Sequence, residues 1–290
     1  MKKIIISGAS GYIGKIFIEK YLNDFEIIAV VRDKNKLKEF DNRIKIFEIE
    51  AFFEENNLRA DYLLNLAFPR KSEIDILLDS FDFTYRLLDK SRELGVKNII
   101  NISSQSVYDI NRKEEAFETD LVRPFSLYGI SKIYMEKYFE DYAKKYNLNY
   151  LNLRLGSIIG IGFEQRFINK FILKYLNDEE ININENGQKF SFLNVMDACE
   201  AISEIIKSEN IKLNEVYNIG ALDEYYISDV VKSIEKIVRH KFNSTINIEN
   251  SNQQEKKTNK VNIEKLLKEI NWKPKYKLDE SIKEIWSSYE

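Results

Sequence analysis

The stretch that decides the fold is "IIISGASGYIG", Ile4 to Gly14. The chain of 290 residues has ten glycines, and three of them stand at positions 8, 11 and 14. Glycine is concentrated where backbone turns sharply or comes close to another group. An apolar run precedes these three and an amphipathic segment, "YIGKIFIEKYL", follows them, which reads as strand, tight turn and helix.

Outward from that turn the first half keeps the same rhythm. "KIIIS", "EIIAVV", "IKIFEI", "DYLLNLA", "NIINIS" and "YLNLRL" are short apolar runs, with longer amphipathic segments between most of them. Such alternation predicts an α/β fold, a doubly wound parallel sheet with helices on both faces. Near Gly160 the rhythm changes to shorter strands ("QKFSFLNV", "EVYNIG", "STINIEN") and helices such as Val195 to Ser208. The reading is a sheet domain over residues 1–160 and a smaller α+β lobe over 161–290, with some chain exchanged between them. "SNQQEKKTNK", Ser251 to Lys260, is polar enough to be a surface loop.

Composition excludes several functions. Apolar residues make up 44% and aromatics 13%, which suits a globular core. A net charge of −3, from 44 basic and 47 acidic residues, offers no field to gather nucleic acid or anionic lipid. One cysteine, Cys199, permits no internal disulfide, and one histidine, His240, leaves too few soft ligands for a zinc site. "MKK" is followed by only three isoleucines before "SGASG", short of the roughly 7–15 apolar residues of an export signal. With no run of about 20 apolar residues either, the expected location is the cytoplasm.

In a dinucleotide-binding fold the first glycine of such a loop makes the turn. The next lets pyrophosphate approach amides at the helix start, and the last lets the helix pack closely. The spacing here is GxxGxxG. The residue ending the second strand reports on the cofactor, because a carboxylate there binds adenosine ribose and repels a 2′-phosphate. In "AVVRDKNK" that place falls on Arg32, whose guanidinium suits a phosphate. NADP is expected over NAD, the alternative being that Asp33 contacts the ribose.

Two more stretches carry chemistry: "INISSQSVYD" (Ile100 to Asp109) at the end of a strand, and "SLYGISK" (Ser126 to Lys132) entering a helix. Tyr128 and Lys132 are four apart and share a helical face. A nearby ammonium favours phenolate, drawing a group of ordinary pKa about 10 toward the range useful for proton transfer. Of the 17 tyrosines only Tyr128 has a lysine four residues later.

With these residues in view the chain resembles an extended short-chain dehydrogenase/reductase of the nucleotide-sugar epimerase/dehydratase family. The likeness rests on "GASGYIG", "NLA" (Asn65 to Ala67), "ISSQSVY", Tyr128 with Lys132, and "LRLGSIIG" from Leu153. It continues through "FLNVMDACEAI" from Phe192, "VYNIG" from Val216 and "NWKP" from Asn271. It implies a Rossmann domain and an enzyme in which Ser104 hydrogen-bonds the reacting oxygen, Tyr128 is the acid/base and Lys132 its partner, also holding the nicotinamide ribose. Gly8, Ser10, Gly11, Tyr12, Ile13, Gly14, Arg32, Ala67 and Phe68 are implied to line the cofactor, and Ser104, Gln105 and Ser157 to meet substrate.

Members share hydride transfer at a sugar carbon and differ afterwards. The 4,6-dehydratases carry an acidic pair after the catalytic hydroxyl, where this chain has Gln105 and Ser106, so dehydration is disfavoured. Epimerase-reductases that make GDP-fucose use a cysteine and a histidine, but Cys199 and His240 fall in the second lobe and are read as packing and surface residues. An NADPH-dependent 4-keto-sugar reductase remains the favoured reading through Arg32, and the modest length also resembles the CDP-4-keto-6-deoxyhexose reductases. The alternatives are a 4-epimerase that retains NAD, a reductase or epimerase acting without a nucleotide, and a non-catalytic NADP-binding sensor.

The second lobe departs from the family pattern. Ser157 stands where the family has asparagine, and Phe190 where it has an arginine for the nucleotide diphosphate, which Lys189, Lys256 or Lys257 would then have to neutralise. Tyr134, Tyr138, Tyr142, Tyr146 and Tyr150 recur every four residues, a packing stripe at helical spacing. By the resemblance this helix packs against its twin, so a homodimer with a nucleotide-sugar substrate, and neither nucleic acid nor membrane, completes the expectation.

Overall fold

A computed structural model of the chain describes residues 1–40, 42–69, 73–177, 179–185, 187–238, 246–250 and 256–289. Strand β1 (Lys2–Ser7) is followed by α1 (Tyr12–Tyr21), β2 (Phe25–Val31), β3 (Lys45–Glu48), α2 (Ile49–Glu54) and β4 (Tyr62–Asn65). Then come α3 (Ile74–Glu93), β5 (Asn98–Ser104), α4 (Leu127–Tyr146) and β6 (Asn149–Leu155). The later elements are β7 (Ser157–Ile159), α5 (Phe167–Leu176), β8 (Ile181–Glu185), β9 (Gln188–Phe190), β10 (Phe192–Asn194), α6 (Val195–Lys207) and β11 (Glu215–Ile219). The chain closes with β12 (Tyr225–Tyr226), α7 (Ile227–Val238), β13 (Ile246–Asn250), β14 (Lys257–Thr258), α8 (Glu264–Glu269) and α9 (Leu278–Ser287).

Seven strands form one parallel sheet in the order β3, β2, β1, β4, β5, β6, β11, flanked by helices. The order reverses between β1 and β4, and ligands of open α/β sheets bind beyond the carboxyl ends at such a switch point. Register aligns those ends: Ser7 lies opposite Val30 and Asn65, and Asn65 opposite Asn101. Ile4, Ile5 and Ile6 are all fully buried, as expected of a strand covered on both faces. "EVYNIG", read from sequence with the second lobe, supplies β11 and so the outer strand of this sheet.

Contacts divide the chain into two compact units. The first comprises Met1–Val107, Pro124–Arg154 and Ser203–Tyr217; the second Tyr108–Arg123, Leu155–Ile202 and Asn218–Glu290. In the first, α3 and α4 pack on the sheet through Leu87, Leu88, Phe139 and Ala143 against Leu63 and Ile99. The second has its own core, in which Ile168, Ile172, Val230, Ile234, Ile282 and Ile285 join α5, α7 and α9. Among the described residues no helix is long and apolar enough to cross a membrane, and no cluster of side chains could hold a metal ion.

Candidate active site

The glycine turn is built as the sequence implied. Ser7, the last residue of β1, donates its hydroxyl hydrogen to Asn65 Oδ1 at 2.6 Å, a buried bond tying the ends of β1 and β4 beneath the turn. Gly8 has φ of 68°, and a Cβ there would stand 2.7 Å from the Ala67 amide nitrogen. At Gly14 a Cβ would lie 2.6 Å from the carbonyl oxygens of both Gly8 and Ala9, so its bare backbone lets α1 sit directly on the turn. Ser10 and Gly11 complete the turn, Gly11 is the N-cap residue, and Tyr12 and Ile13 open α1. A helix N-terminus over a cradle that any side chain would fill suits a pyrophosphate. The residues present therefore fit a dinucleotide.

At the end of β2, Val31 pairs with Glu48 and Arg32 follows, exposed. Asp33 turns back on itself: its Oδ1 accepts from both the amide and the side-chain nitrogen of Asn35, each at 3.0 Å. Such a self-contained turn commits one oxygen of the carboxylate that follows Arg32 in sequence, while Glu48, opposite Val31, accepts from the Lys34 amide at 3.3 Å.

Ser104, Tyr128 and Lys132 all belong to the first unit. Ser104 ends β5, and its hydroxyl donates to Ser106 Oγ and accepts from the Ser106 amide, both at 3.2 Å. Helix α4 begins one residue before Tyr128 because Ser126 caps it, accepting from the Gly129 amide at 3.2 Å. Gly129 lets that helix start close against the serine turn: a Cβ there would collide with the Ser106 carbonyl oxygen and stand 2.8 Å from Pro124 Cβ. Tyr128 and Lys132 then project from one face. Lys132 is 4% exposed, and its ammonium donates to the Ile102 carbonyl at 2.7 Å and lies 4.0 Å from the centre of the Phe68 ring. It stands 5.7 Å from the Tyr128 ring, which meets Phe68 edge-on at 6.0 Å.

Burial pushes Lys132 down to about 7, against the pull of Glu136, whose negative charge favours the ammonium. A lysine brought to that range exchanges its proton near neutral pH. Phe68, expected to line the cofactor, thus also walls Tyr128 and Lys132, while Ala67 lies against the Gly8 turn. Gln105 opens the single turn after Ser104 and is half-buried.

The remaining candidates lie in the second unit. Ser157 accepts from Asn259 Nδ2 at 3.0 Å, and Asn259 Oδ1 accepts from the Ser191 amide at 2.6 Å. Phe190, Phe167 and Phe192 form a cluster of three near-parallel rings whose centres are 6.1 to 6.3 Å apart, so the place of the family's arginine is part of an aromatic layer. Lys189 is paired with Glu224 at 3.0 Å. Lys257 is half-buried on β14 beside Gln188, and Lys256 is exposed. Cys199 is fully buried in α6, whereas His240 and residues 251–255 lie outside the described residues.

The tyrosine stripe needs correction. Helix α4 ends at Tyr146, Asn147 takes the left-handed conformation that stops it, and Tyr150 lies on β6. A spacing of four also overshoots a 3.6-residue turn by about 40°. The row therefore winds from Tyr134, 44% exposed, to Tyr142, 6% exposed.

Sequence reasoning passed over Ser106 as a partner of Ser104, Gly129 as the spacer of the helix start, and the buried pair Glu136 and Arg154. Glu136 had a signal, standing four residues beyond Lys132 on the same face. Arg154 had none beyond its place in "LRLGSIIG".

Comparison with known proteins agrees with this fold. The profile of the NAD dependent epimerase/dehydratase family matches residues 4–220, and the chain belongs to that family of enzymes. It is 24% identical to protein CapI of Staphylococcus aureus over 99% of this chain and 98% of that protein. It is 23% identical to dTDP-4-dehydro-6-deoxyglucose reductase of Escherichia coli, over 98% and 96%. Among solved structures, UDP-glucuronic acid 4-epimerase of Bacillus cereus, in complex with UDP-glucuronic acid and NAD, superposes with a TM-score of 0.85 at 21% identity, covering 98% of each chain.

Proposed function

We propose that the chain is an NAD(P)-dependent oxidoreductase of nucleotide-activated sugars, acting as an NADPH-dependent 4-keto-sugar reductase through Ser104, Tyr128 and Lys132. The dinucleotide, when bound, supplies or removes the hydride. The turn at Gly8, Ser10, Gly11 and Gly14 with Tyr12 and Ile13 holds its phosphates, and Ala67 and Phe68 line it. Tyr128 delivers a proton to the carbonyl oxygen as it becomes an alcohol, and Ser104 turns its one hydroxyl hydrogen from Ser106 to that same oxygen, still accepting from the Ser106 amide. Ser106 orients Ser104, while Gln105 and Ser157 meet the sugar. Lys132 keeps the phenol ready to ionise by placing a buried cation beside its ring, and holds the nicotinamide ribose.

The observation that carries the reductase is Arg32, exposed at the end of β2 with Asp33 folded into its own turn. That arrangement welcomes a 2′-phosphate. A second reading, a 4-epimerase with retained NAD, is supported by the solved neighbours, which include 4-epimerases of UDP-glucose, UDP-glucuronic acid and UDP-N-acetylglucosamine.

The test is an absorbance check for co-purified dinucleotide followed by isothermal titration with NADPH and NADH. Exchangeable binding that prefers NADPH supports the reductase; NAD released only on denaturation turns the assignment to the epimerase. We place the enzyme in the cytoplasm as a homodimer that uses the exposed part of the tyrosine row, where the Tyr85 and Tyr134 hydroxyls bond each other. Sedimentation of a monomer at micromolar concentration overturns the dimer.

A further inference from the structure

Behind the candidate site lies a charged pair that the reaction as proposed does not use. Glu136 and Arg154 are 4% and 5% exposed. Arg154 clasps the carboxylate with Nε on Oε1 at 3.0 Å and Nη2 on Oε2 at 2.7 Å. Ser103, itself buried, donates its hydroxyl hydrogen to Glu136 Oε1. Asn152 Nδ2 bonds the Glu136 carbonyl at 3.2 Å, and Asn101 Nδ2 bonds Asn152 Oδ1 at 2.9 Å.

Stability does not account for such a pair, because replacing both members of a buried ion pair with groups of similar volume is often neutral or stabilising. Location does. Glu136 stands one turn beyond Lys132 and two beyond Tyr128, and Ser103 immediately precedes Ser104. The carboxylate therefore joins the strand that ends in the hydroxyl to the helix that carries the phenol and the ammonium, and Arg154 fastens both to β6.

We propose that the Glu136–Arg154 pair is a positioning unit for the Ser104, Tyr128 and Lys132 site, fixing the end of β5 against α4 and keeping an anion one turn from the ammonium. The proposal rests on the oxidoreductase assignment above. The groups around Lys132 are Tyr128 and Glu136 from α4, the Ile102 carbonyl from β5 and the Phe68 ring after β4, with Arg154 of β6 behind Glu136. Glu136 is the acidic group among them, and its charge favours the ammonium. Without it the lysine surrenders its proton at lower pH, so the pH range over which Tyr128 has a cation beside it shrinks, and the end of β5 is no longer fastened to α4.

The experiment compares the full chain with Glu136→Gln/Arg154→Met, each with and without Tyr128→Phe. The near-ultraviolet phenolate absorbance that Tyr128→Phe removes reports the titration of Tyr128 alone. Melting temperature and NADPH and NADH binding are measured alongside. The single variants Glu136→Gln and Arg154→Met leave a buried group unpaired and serve only as folding controls; the double variant carries the test.

The expected result is a Tyr128 midpoint displaced by about one pH unit or more in the double variant, because its surroundings are no longer fixed, with a melting temperature close to that of the parent. An unchanged midpoint in a folded double variant overturns the positioning role. Failure of the parent chain to bind either dinucleotide overturns the oxidoreductase assignment and is read from a separate measurement.

Discussion

The two ends of helix α4 rest on the same sheet with opposite chemistry. Toward its C-terminus Phe139, Tyr142 and Ala143 pack on Ile99 and Tyr150 in an apolar core. Toward its N-terminus Lys132 and Glu136 meet Ser103, Asn152, Arg154 and the Ile102 carbonyl, all hydrogen-bonded and buried. Strand alternation continues unbroken from one end to the other: Ile99, Asn101 and Ser103 share a face of β5, and Tyr150, Asn152 and Arg154 share a face of β6. One register thus serves two purposes. The apolar end anchors the helix through the removal of surface from water, which has no direction. The polar end fixes orientation through bonds that have one.

The comparison predicts which substitutions damage chemistry and which damage stability. Tyr128→Phe lies at the polar end and removes a proton donor without a cavity; turnover falls by about 10²–10⁴-fold while NADPH binding and melting temperature hold. A Tyr128→Phe chain that turns over normally sinks the acid/base role. Phe139→Ala, three turns along, gives the reverse. The side chain is fully buried, so its loss costs roughly 3–5 kcal/mol of stability in chemical denaturation. The turnover number of the molecules still folded is retained, and a parallel drop in that number would mean that the two ends are not separable. Gly129→Ala comes next. Its methyl group meets the Ser106 carbonyl oxygen and Pro124, which moves Tyr128 relative to Ser104. A displacement near 1 Å lowers turnover by about 10²-fold, read as a fall in kcat with the NADPH dissociation constant unchanged.

The same contrast explains what the sequence disclosed. The glycine turn, the alternation of strands and helices, and the spacing of Tyr128 and Lys132 are local patterns, and each appears in the structure where it was read. The buried polar end of α4 was hidden because lysine and glutamate four apart on a helix look like a solvated surface pair. Their burial depends on strands 30 residues upstream and 20 downstream. Tyr150 joined the helical row in the sequence because nothing in a spacing of four marks Asn147 as the stop. In the second unit the aromatic layer around Phe190 unites β9, β10 and α5 through long-range contacts that no periodicity encodes.

The smallest predicted effect lies at the boundary between chemistry and stability. Lys132 is nearly buried, and burial lowers it from 10.5 to about 7. Below pH 7 the lysine is protonated in both the folded and unfolded chains, so the folded chain bears the whole cost of burying the charge. Between pH 7 and 10.5 the folded lysine is neutral while the unfolded one still holds its proton; stability from this group therefore rises with pH across that window and levels off above it. Lys132→Met removes the charge and keeps the length of the side chain. Thermal melts of the parent and variant at a series of pH values should show the variant more stable by a few degrees at pH 6, with the advantage fading toward pH 10. A variant less stable at pH 6 would mean that the bonds to Ile102 and the charge of Glu136 outweigh the desolvation of the ammonium. Lys132 would then hold the fold together in the manner of Phe139, instead of being held in place by it.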